Sequence, residues 1–510
     1  MMGALTLPER PPPTNKGSVT DTAATSATGY EPDPRRWKAL SVTLVAGFMS
    51  LLDVSIVAVA LPSIQRGLGT SPAAVQWVVS GYALTFGLAL VPAGRLGDAI
   101  GRRTMFLVAL GGFVLCSAAA GAAPNTATLV AARLAQGIAA GSLAPQNSAL
   151  IQQLFRDDER GRAFGLFGST VGLSTAVGPI VGGAILAVAG EPDGWRWIFY
   201  VNVPIGVVAL VLAARLIPRV DPGPRQRADL VGAGLLGGGV LALMLPLVLA
   251  EAGGLARLWW LFPVGAVVLV GFVWWERRIV ARGRPPLLDV RLLTGTPGYA
   301  SGTLLGTVYF IGFSGIWLVF ALYLQSGLGF TPLQSGLSVT AFALGAAASA
   351  VVGGRLVTRW GRRLTVIGLT LVLLGLSATA VIVRVAPPTS VGWWMAPTLL
   401  IAGIGGGSVI SPNTTLTLHC VPVAMAGSAG GALQTGQRIG AAIGTAALPG
   451  IFYALLAANG RNYPQAAAIT LGVAVASILV ALVVAVAEWR AGKRRGDSPC
   501  GPPEHIPDAA

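Results

Sequence analysis

Asp53 is the residue whose type and position could carry the most chemistry. It is the only carboxylate well inside an apolar block long enough to cross a membrane; Asp98, Asp229, Glu276 and Glu488 all fall near block ends. Asp53 stands about 15 residues into its block, roughly 22 Å along at ~1.5 Å per helical residue. A charge at membrane centre costs at least ~2.5–3.5 kcal/mol, so it rarely persists without a role. A carboxyl carried between a dry and a wetted setting can take up a proton and give it back. Arg133 is the natural partner, a cation inside a second apolar block, with Gln136 three residues on along the same helical face. Arg438 is a further intramembrane charge and a binding candidate on the same energetic ground. A structural hydrogen bond for Asp53 and a permanent neutralising pair for Arg133 are the plainer alternatives.

The blocks that must position these groups dominate the composition. Of 510 residues 54% are hydrophobic and 11% charged, where a soluble chain carries about 25% charged residues. Stretches such as 230–250 and 471–487 hold no charge at all, and each approaches the ~20 residues a helix needs to span a bilayer. The pattern predicts an all-α integral membrane fold with fourteen transmembrane helices, at roughly 39–62, 74–95, 104–123, 126–150, 161–189, 197–217, 229–250, 258–276, 299–324, 333–357, 364–384, 392–418, 426–456 and 465–488. With both termini inside, 28 of the 35 basic residues fall on the inner side and five on the outer. That asymmetry is what the positive-inside rule requires.

The net charge of +15 is therefore read as orientation and lipid-headgroup contact, not as a nucleic-acid surface. The basic clusters have no interleaved aromatics on which bases could stack. Cys116, Cys420 and Cys500 offer no framework of even pairs, and His419 and His505 are the only histidines. A histidine-based metal site or catalytic triad is nearly excluded on that count. Lysine occurs only at 16, 38 and 493, and Gly492-Lys493 is followed by Arg494, so no phosphate-binding loop exists for an ATP-driven pump.

The chain also repeats itself. Residues 94–103 (GRLGDAIGRR) follow the second block, and 354–363 (GRLVTRWGRR) follow the tenth. Two glycines, the leucine, the first arginine and the closing arginine pair coincide in register. Tight loops that favour Gly and Arg explain the composition but not the register. Two related halves of six helices leave the seventh and eighth as an inserted pair, and such parallel repeats build transporters that rock about a midplane site. The expected divisions are a disordered tail at 1–37, a six-helix bundle at 38–218, the inserted pair with linkers at 219–298, a second bundle at 299–489 and a tail at 490–510.

At these residues the sequence resembles the major facilitator superfamily, specifically its fourteen-helix drug:proton antiporter branch. Residues 94–103 match the loop signature between helices two and three, and 52–62 (LDVSIVAVALP) look like the first-helix signature. Arg133-Leu134-Ala135-Gln136-Gly137 resembles the fourth-helix motif. Gly165, Gly178-Pro179 and Gly182-Gly183 fit the antiporter motif of helix five, with Ser174 where glycine is usual. Residues 195–199 (WRWIF) and 202–204 (NVP) are similar to the opening of helix six. The resemblance covers nearly all of 38–490.

Several roles follow from the resemblance alone. It implies proton handling for Arg133, which on the energetic argument above is expected beside Asp53 in one conformation and not the other. It implies a latch, in which Asp98 engages the start of the helix near 424–427 and Arg102, Gly94 and Gly101 complete the loop. Thr358 replaces the aspartate in the second copy, so one charged latch is expected. Ser174, Gly178 and Gly182 form a side-chain-poor ridge and Pro179 a bend, for close packing or for a seal against the opposite half. Trp77, Tyr82, Phe86, Tyr309, Trp317, Tyr323 and Gln325 lie on helices that line the cavity in this family. Trp259, Trp260, Trp274, Trp275, Trp393 and Trp394 sit at block ends, where aromatic belts lie.

The resulting expectation is a monomeric, multi-pass protein of the cytoplasmic membrane, not an enzyme, with a lipophilic small molecule, protons and the lipid bilayer as its partners. It uses no cofactor or metal and draws on the proton gradient to export drugs, antibiotics or toxic compounds. Export of an endogenous secondary metabolite, lipid or siderophore is the alternative.

Overall fold

The computed structural model describes residues 33–495 apart from 191, 220–228, 251–252, 285, 459 and 461. The tail expected at 1–37 falls outside them except for 33–37, as does the tail at 490–510 beyond 495. Among the described residues fourteen helices have 15 residues or more: α1 Arg36–Leu68, α2 Pro72–Ile100, α3 Arg102–Gly121, α4 Thr126–Leu154, α5 Asp157–Ala189, α6 Asn202–Leu216, α7 Leu230–Val248, α8 Leu261–Ala281, α9 Tyr299–Ser314, α10 Pro332–Trp360, α11 Arg362–Val385, α12 Val391–Leu418, α13 Ala426–Ala458 and α14 Tyr463–Arg495. A backbone in hydrocarbon must satisfy its own hydrogen bonds, which is why runs this apolar become helices.

The ends are set by local chemistry. Ser71 and Asn125 accept from the third backbone N–H beyond them, and Thr331 with Gln334 closes a capping box. Gly101 (φ 96°) and Gly361 (φ 51°) are the one-residue joints between α2 and α3 and between α10 and α11. The two copies of the repeat thus turn at equivalent glycines, in a backbone region that side chains disfavour.

Among the described residues, twelve helices are long and apolar enough to cross a membrane. The fourteen expected spans are supported to that extent. In α5 the distinct apolar stretch is Ile180–Ala189, and in α8 Glu276, Arg277 and Arg278 crowd the last two turns.

Helix ends gather at two faces. Arg36 pairs with Glu159, Arg103 donates to the Ala214 carbonyl and Arg362 pairs with Glu488, so these ends share one face, called here the basic face. At the far face Arg196 donates to the carbonyls of Gly121 and Ala123, and Tyr323 to that of Val383. One apolar core includes Phe106, Phe113 and Leu143 and reaches Leu418 and Leu433. A second lies wholly within 305–485, and a third surrounds Trp195 and Phe199. Helices α7 and α8 cross closely, where a Cβ at Gly265 would stand 3.1 Å from the Gly239 carbonyl; α7 leans on α2 where Met244 covers Gly87. Trp259, Trp260, Trp274, Trp393 and Trp394 are exposed, whereas Trp275 donates to Asp229 at 2.9 Å. Cys116 is free, and Cys420 is disulfide-bonded, which the spacing of cysteines did not suggest.

Candidate functional site

Asp53 and Arg133 meet inside the bundle. The Arg133 Nη1 donates to Asp53 Oδ2 at 2.5 Å and to Gln136 Oε1 at 2.8 Å. Gln136 Nε2 and Asn202 Nδ2 each donate to Asp53 Oδ1 at 3.2 Å. Asn202 also reaches Ser117 Oγ at 3.2 Å, and Ser117 donates to the Phe199 carbonyl. Arg133 Nε is held by the Val78 carbonyl at 3.0 Å, and its guanidinium lies 4.2 Å over the Tyr82 ring. Asp53 is 1% exposed; Arg133 and Gln136 are 0% exposed. Three helices, α1, α4 and α6, thus meet at one carboxylate, and α2 and α3 hold its partners. Breaking such a buried pair from one side costs about 3–5 kcal/mol, because the remaining charge is stranded.

Behind this network lies a cavity of about 1010 Å³. It runs from Gly47, Asn147 and Thr414 in mid-bundle to Thr331, the N-cap of α10, at the far face. The cavity therefore opens away from the basic face. Helix α1 separates it from the charge network: Ser50, Leu51, Val54 and Ser55 line the cavity, while Asp53 points into the first bundle.

The expected substrate contacts divide. Phe86, Trp317, Gln325 and Arg438 line the cavity. The others do not line it. Tyr82 lies under Arg133 with its hydroxyl on the Ser50 carbonyl, and Tyr323 donates to the Val383 carbonyl. Tyr309 is fully buried and stacked on Phe313, and Trp77 packs against the first core. Aromatic type gave no information on which way each ring faces. The sequence reading missed Phe310, Phe313 and Phe342, which line the cavity beside Trp317. The spacing of Phe310, Phe313 and Trp317 along one helical face was the available signal. A π-helical turn at Leu322–Gly327 carries Gln325, a local irregularity frequent at functional sites. Asn202 was also missed as a ligand of Asp53, since a neutral amide carries little penalty to betray it. Glu276, read as a helix-end residue, is 0% exposed and lies beside Asp229 at the start of α7.

At the basic face Asp98 accepts from the backbone N–H groups of Gly427 and Ser428 at 3.2 and 3.0 Å, in the first turn of α13. Arg102 joins Asp98 at 3.2 Å and donates to the carbonyls of Ala149 and Val423. Gly94 lies backbone to backbone with Gly427, and Gly161 with Gly354. Gly101 is the φ 96° joint already described.

The ridge on α5 faces differently from one of its expected uses. Gly178 packs on Ser55 and Gly182 on Ile56, both on α1 of the same bundle. Ser55 Oγ donates to the Ser174 carbonyl at 3.1 Å, and Ser174 is 0% exposed. The seal against the opposite half is made instead by Gly161 and Gly165 against α10. Small residues permit close approach without specifying the partner. The side chain of Pro179 lies outside the described residues.

Comparison with known proteins agrees with this architecture. The family model of the Major Facilitator Superfamily matches residues 43–275 and 302–500. A probable actinorhodin transporter of Streptomyces coelicolor is 38% identical over 437 residues, 84% of this chain and 75% of that protein. The puromycin resistance protein pur8 of Streptomyces alboniger is 35% identical over 477 residues, 92% of each. Among solved structures, the human organic anion transporter MFSD10 (TETRAN) superposes with a TM-score of 0.65 at 16% identity, over 89% of this chain and all of that one. That likeness speaks to the fold alone. With the family matched over most of its length, the chain belongs to the major facilitator superfamily and is a multi-pass membrane transporter.

Proposed function

We propose that this transporter is a proton-coupled antiporter that exports lipophilic small molecules across the cytoplasmic membrane by alternating access. The observation that carries the reading is the Asp53–Arg133 pair, sealed from water on one side of α1 while the other side of α1 lines a large aromatic cavity. A proton arriving at Asp53 removes the charge that holds Arg133, Gln136 and Asn202 around it. The resulting shift of α1 changes the cavity wall directly. It also moves α5, which is tied to α1 through Ser55, Ser174 and Gly178.

In this reading all fourteen long helices span the bilayer, α5 and α8 included, and the basic face and both termini are cytoplasmic. The halves are 38–218 and 299–489, with 219–298 inserted between them. The basic residues gathered at that face support the orientation. The structure then corresponds to the outward-opening state, with the cytoplasmic side held shut by Asp98 on α13. The names of the relatives favour drugs and antibiotics as cargo, and the similarity to a probable actinorhodin transporter also supports an endogenous product.

The test is uptake of a panel of lipophilic antibiotics into inside-out vesicles, with and without a protonophore. Accumulation should collapse with the protonophore and in Asp53→Asn. Undiminished accumulation in either case would remove Asp53 from the mechanism.

A further inference from the structure

The cavity contains one charge that the proton pair leaves unexplained. Among the described residues, Arg438 is the only ionisable group in its lining. No carboxylate or hydrogen-bond acceptor among them engages its guanidinium, which lies 4.2 Å over the ring of Phe86. A ring face offers a guanidinium only a modest electrostatic attraction and leaves its N–H donors unused. An uncompensated cation in so apolar a chamber is costly to keep, and what compensates it must come from inside the cavity.

The surroundings define what fits. Gln434, Gln437, Arg438 and Ala441 fall at helical spacing on one face of α13, and all four line the cavity. Gln434 is engaged by the Ala144 carbonyl and Ser148 at 3.3 Å each. The amide of Gln437 has no such partner among the described residues. Opposite stands the aromatic wall: Phe313 packs on Trp317 at 5.5 Å and on Phe342 at 5.5 Å between ring centroids.

We propose that Arg438 selects the cargo, and that the exported substrate is an aromatic acid held by its anionic group at Arg438 and Gln437 and by its rings against Phe313, Trp317 and Phe342. The fork of a guanidinium matches a carboxylate in two parallel hydrogen bonds. With Arg438 as its only lining charge the chamber disfavours cations. The proposal rests on the exporter reading and adds the class of its substrate. It also joins the two sites: Phe86 under Arg438 stands one turn from Tyr82 under Arg133, with ring centroids 6.1 Å apart. Cargo and proton therefore act on the same face of α2.

Binding, read apart from transport, tests this. The purified full chain in detergent is titrated with anthracene-9-carboxylate and with the cation of 9-(aminomethyl)anthracene, following quenching of tryptophan fluorescence. The wild type should bind the carboxylate at least about tenfold more tightly, a difference of about 1.4 kcal/mol. Arg438→Gln should bring the two probes to near parity, and Arg438→Lys should keep part of the preference. Thermal unfolding of each variant, followed alongside, establishes that it is folded. Equal or tighter binding of the cation by the wild type, or an intact preference in folded Arg438→Gln, overturns the proposal. An intact preference in a protein whose transport ignores the proton gradient would sink the antiporter reading and leave this one standing.

Discussion

Gly94 on α2 and Gly427 on α13 stand so close that a Cβ on either would run into the carbonyl of the other. The same holds between Gly354 on α10 and Gly161 on α5. Since 354 is the repeat-equivalent of 94, the basic face is shut by two related crossings, each joining one bundle to the other. Neither crossing tolerates a side chain. We expect Gly94→Val to hold the basic face open and to abolish export while leaving each bundle folded. A cysteine introduced by Ser148→Cys, in the cavity wall, should then be labelled from that face by a membrane-impermeant maleimide. Protection equal to that of the parent protein would count against the seal.

Among the described residues, the first crossing carries a charged latch. Asp98 caps the start of α13 through Gly427 and Ser428, where the helix dipole favours an anion. The equivalent residue in the second copy is Thr358, which carries no charge. Asp98→Asn keeps the shape and loses the charge. The closed state should weaken by about 1–2 kcal/mol, a population change of roughly 5–30-fold. The Ser148→Cys labelling rate reads that change, and Thr358→Asp should not restore it.

A third prediction concerns acid. The fork of Arg36 on Glu159, at 3.0 and 2.7 Å, ties the start of α1 to the start of α5 and holds the Glu159 carboxyl below its ordinary range. A group whose affinity for protons falls on folding contributes stability above its ordinary value and loses it as the pH drops through the lowered one. The pair is partly exposed to solvent, so its worth is about 0.2–1 kcal/mol. Thermal unfolding of wild type and Glu159→Gln should differ at pH 7 and converge only as the pH falls below the ordinary glutamate range. A difference that persists at lower pH would show that the ion pair is not its source.

How much of this was legible beforehand depended on what each residue would cost if misplaced. Asp53, Arg133 and Gln136 were found together because charges in hydrocarbon are expensive, and a helical spacing of three put the last two on one face. Asp98 and its contact near residue 427 followed from motif resemblance, not from physics. Tyr82, Tyr309 and Tyr323, candidates by their helices alone, pack away from the cavity, because a ring can be buried against any neighbour at similar gain. Gly178 and Gly182 gave close packing but not its partner, which proved to be α1. Arg438 was singled out by its charge, yet its isolation became visible only when every neighbouring helix was in place.

The charge network itself yields the last prediction. Removing Arg133 strands the Asp53 carboxylate in a dry bundle with only the amides of Gln136 and Asn202, so Arg133→Ala should lose about 3–5 kcal/mol of stability. Asp53→Asn strands the guanidinium instead, although the Val78 carbonyl, Gln136 and the Tyr82 ring still hold it, and should lose less. Replacing both, as Asp53→Asn with Arg133→Gln, leaves no charge in this network and should recover most of the stability of the parent. Export driven by a pH gradient should recover in none of the three, because the group that binds the proton is gone or permanently misplaced. Unfolding midpoints in detergent measure the first quantity, and uptake into inside-out vesicles under an imposed pH gradient measures the second. Gradient-driven uptake by the stable double variant would show that the proton travels by another route.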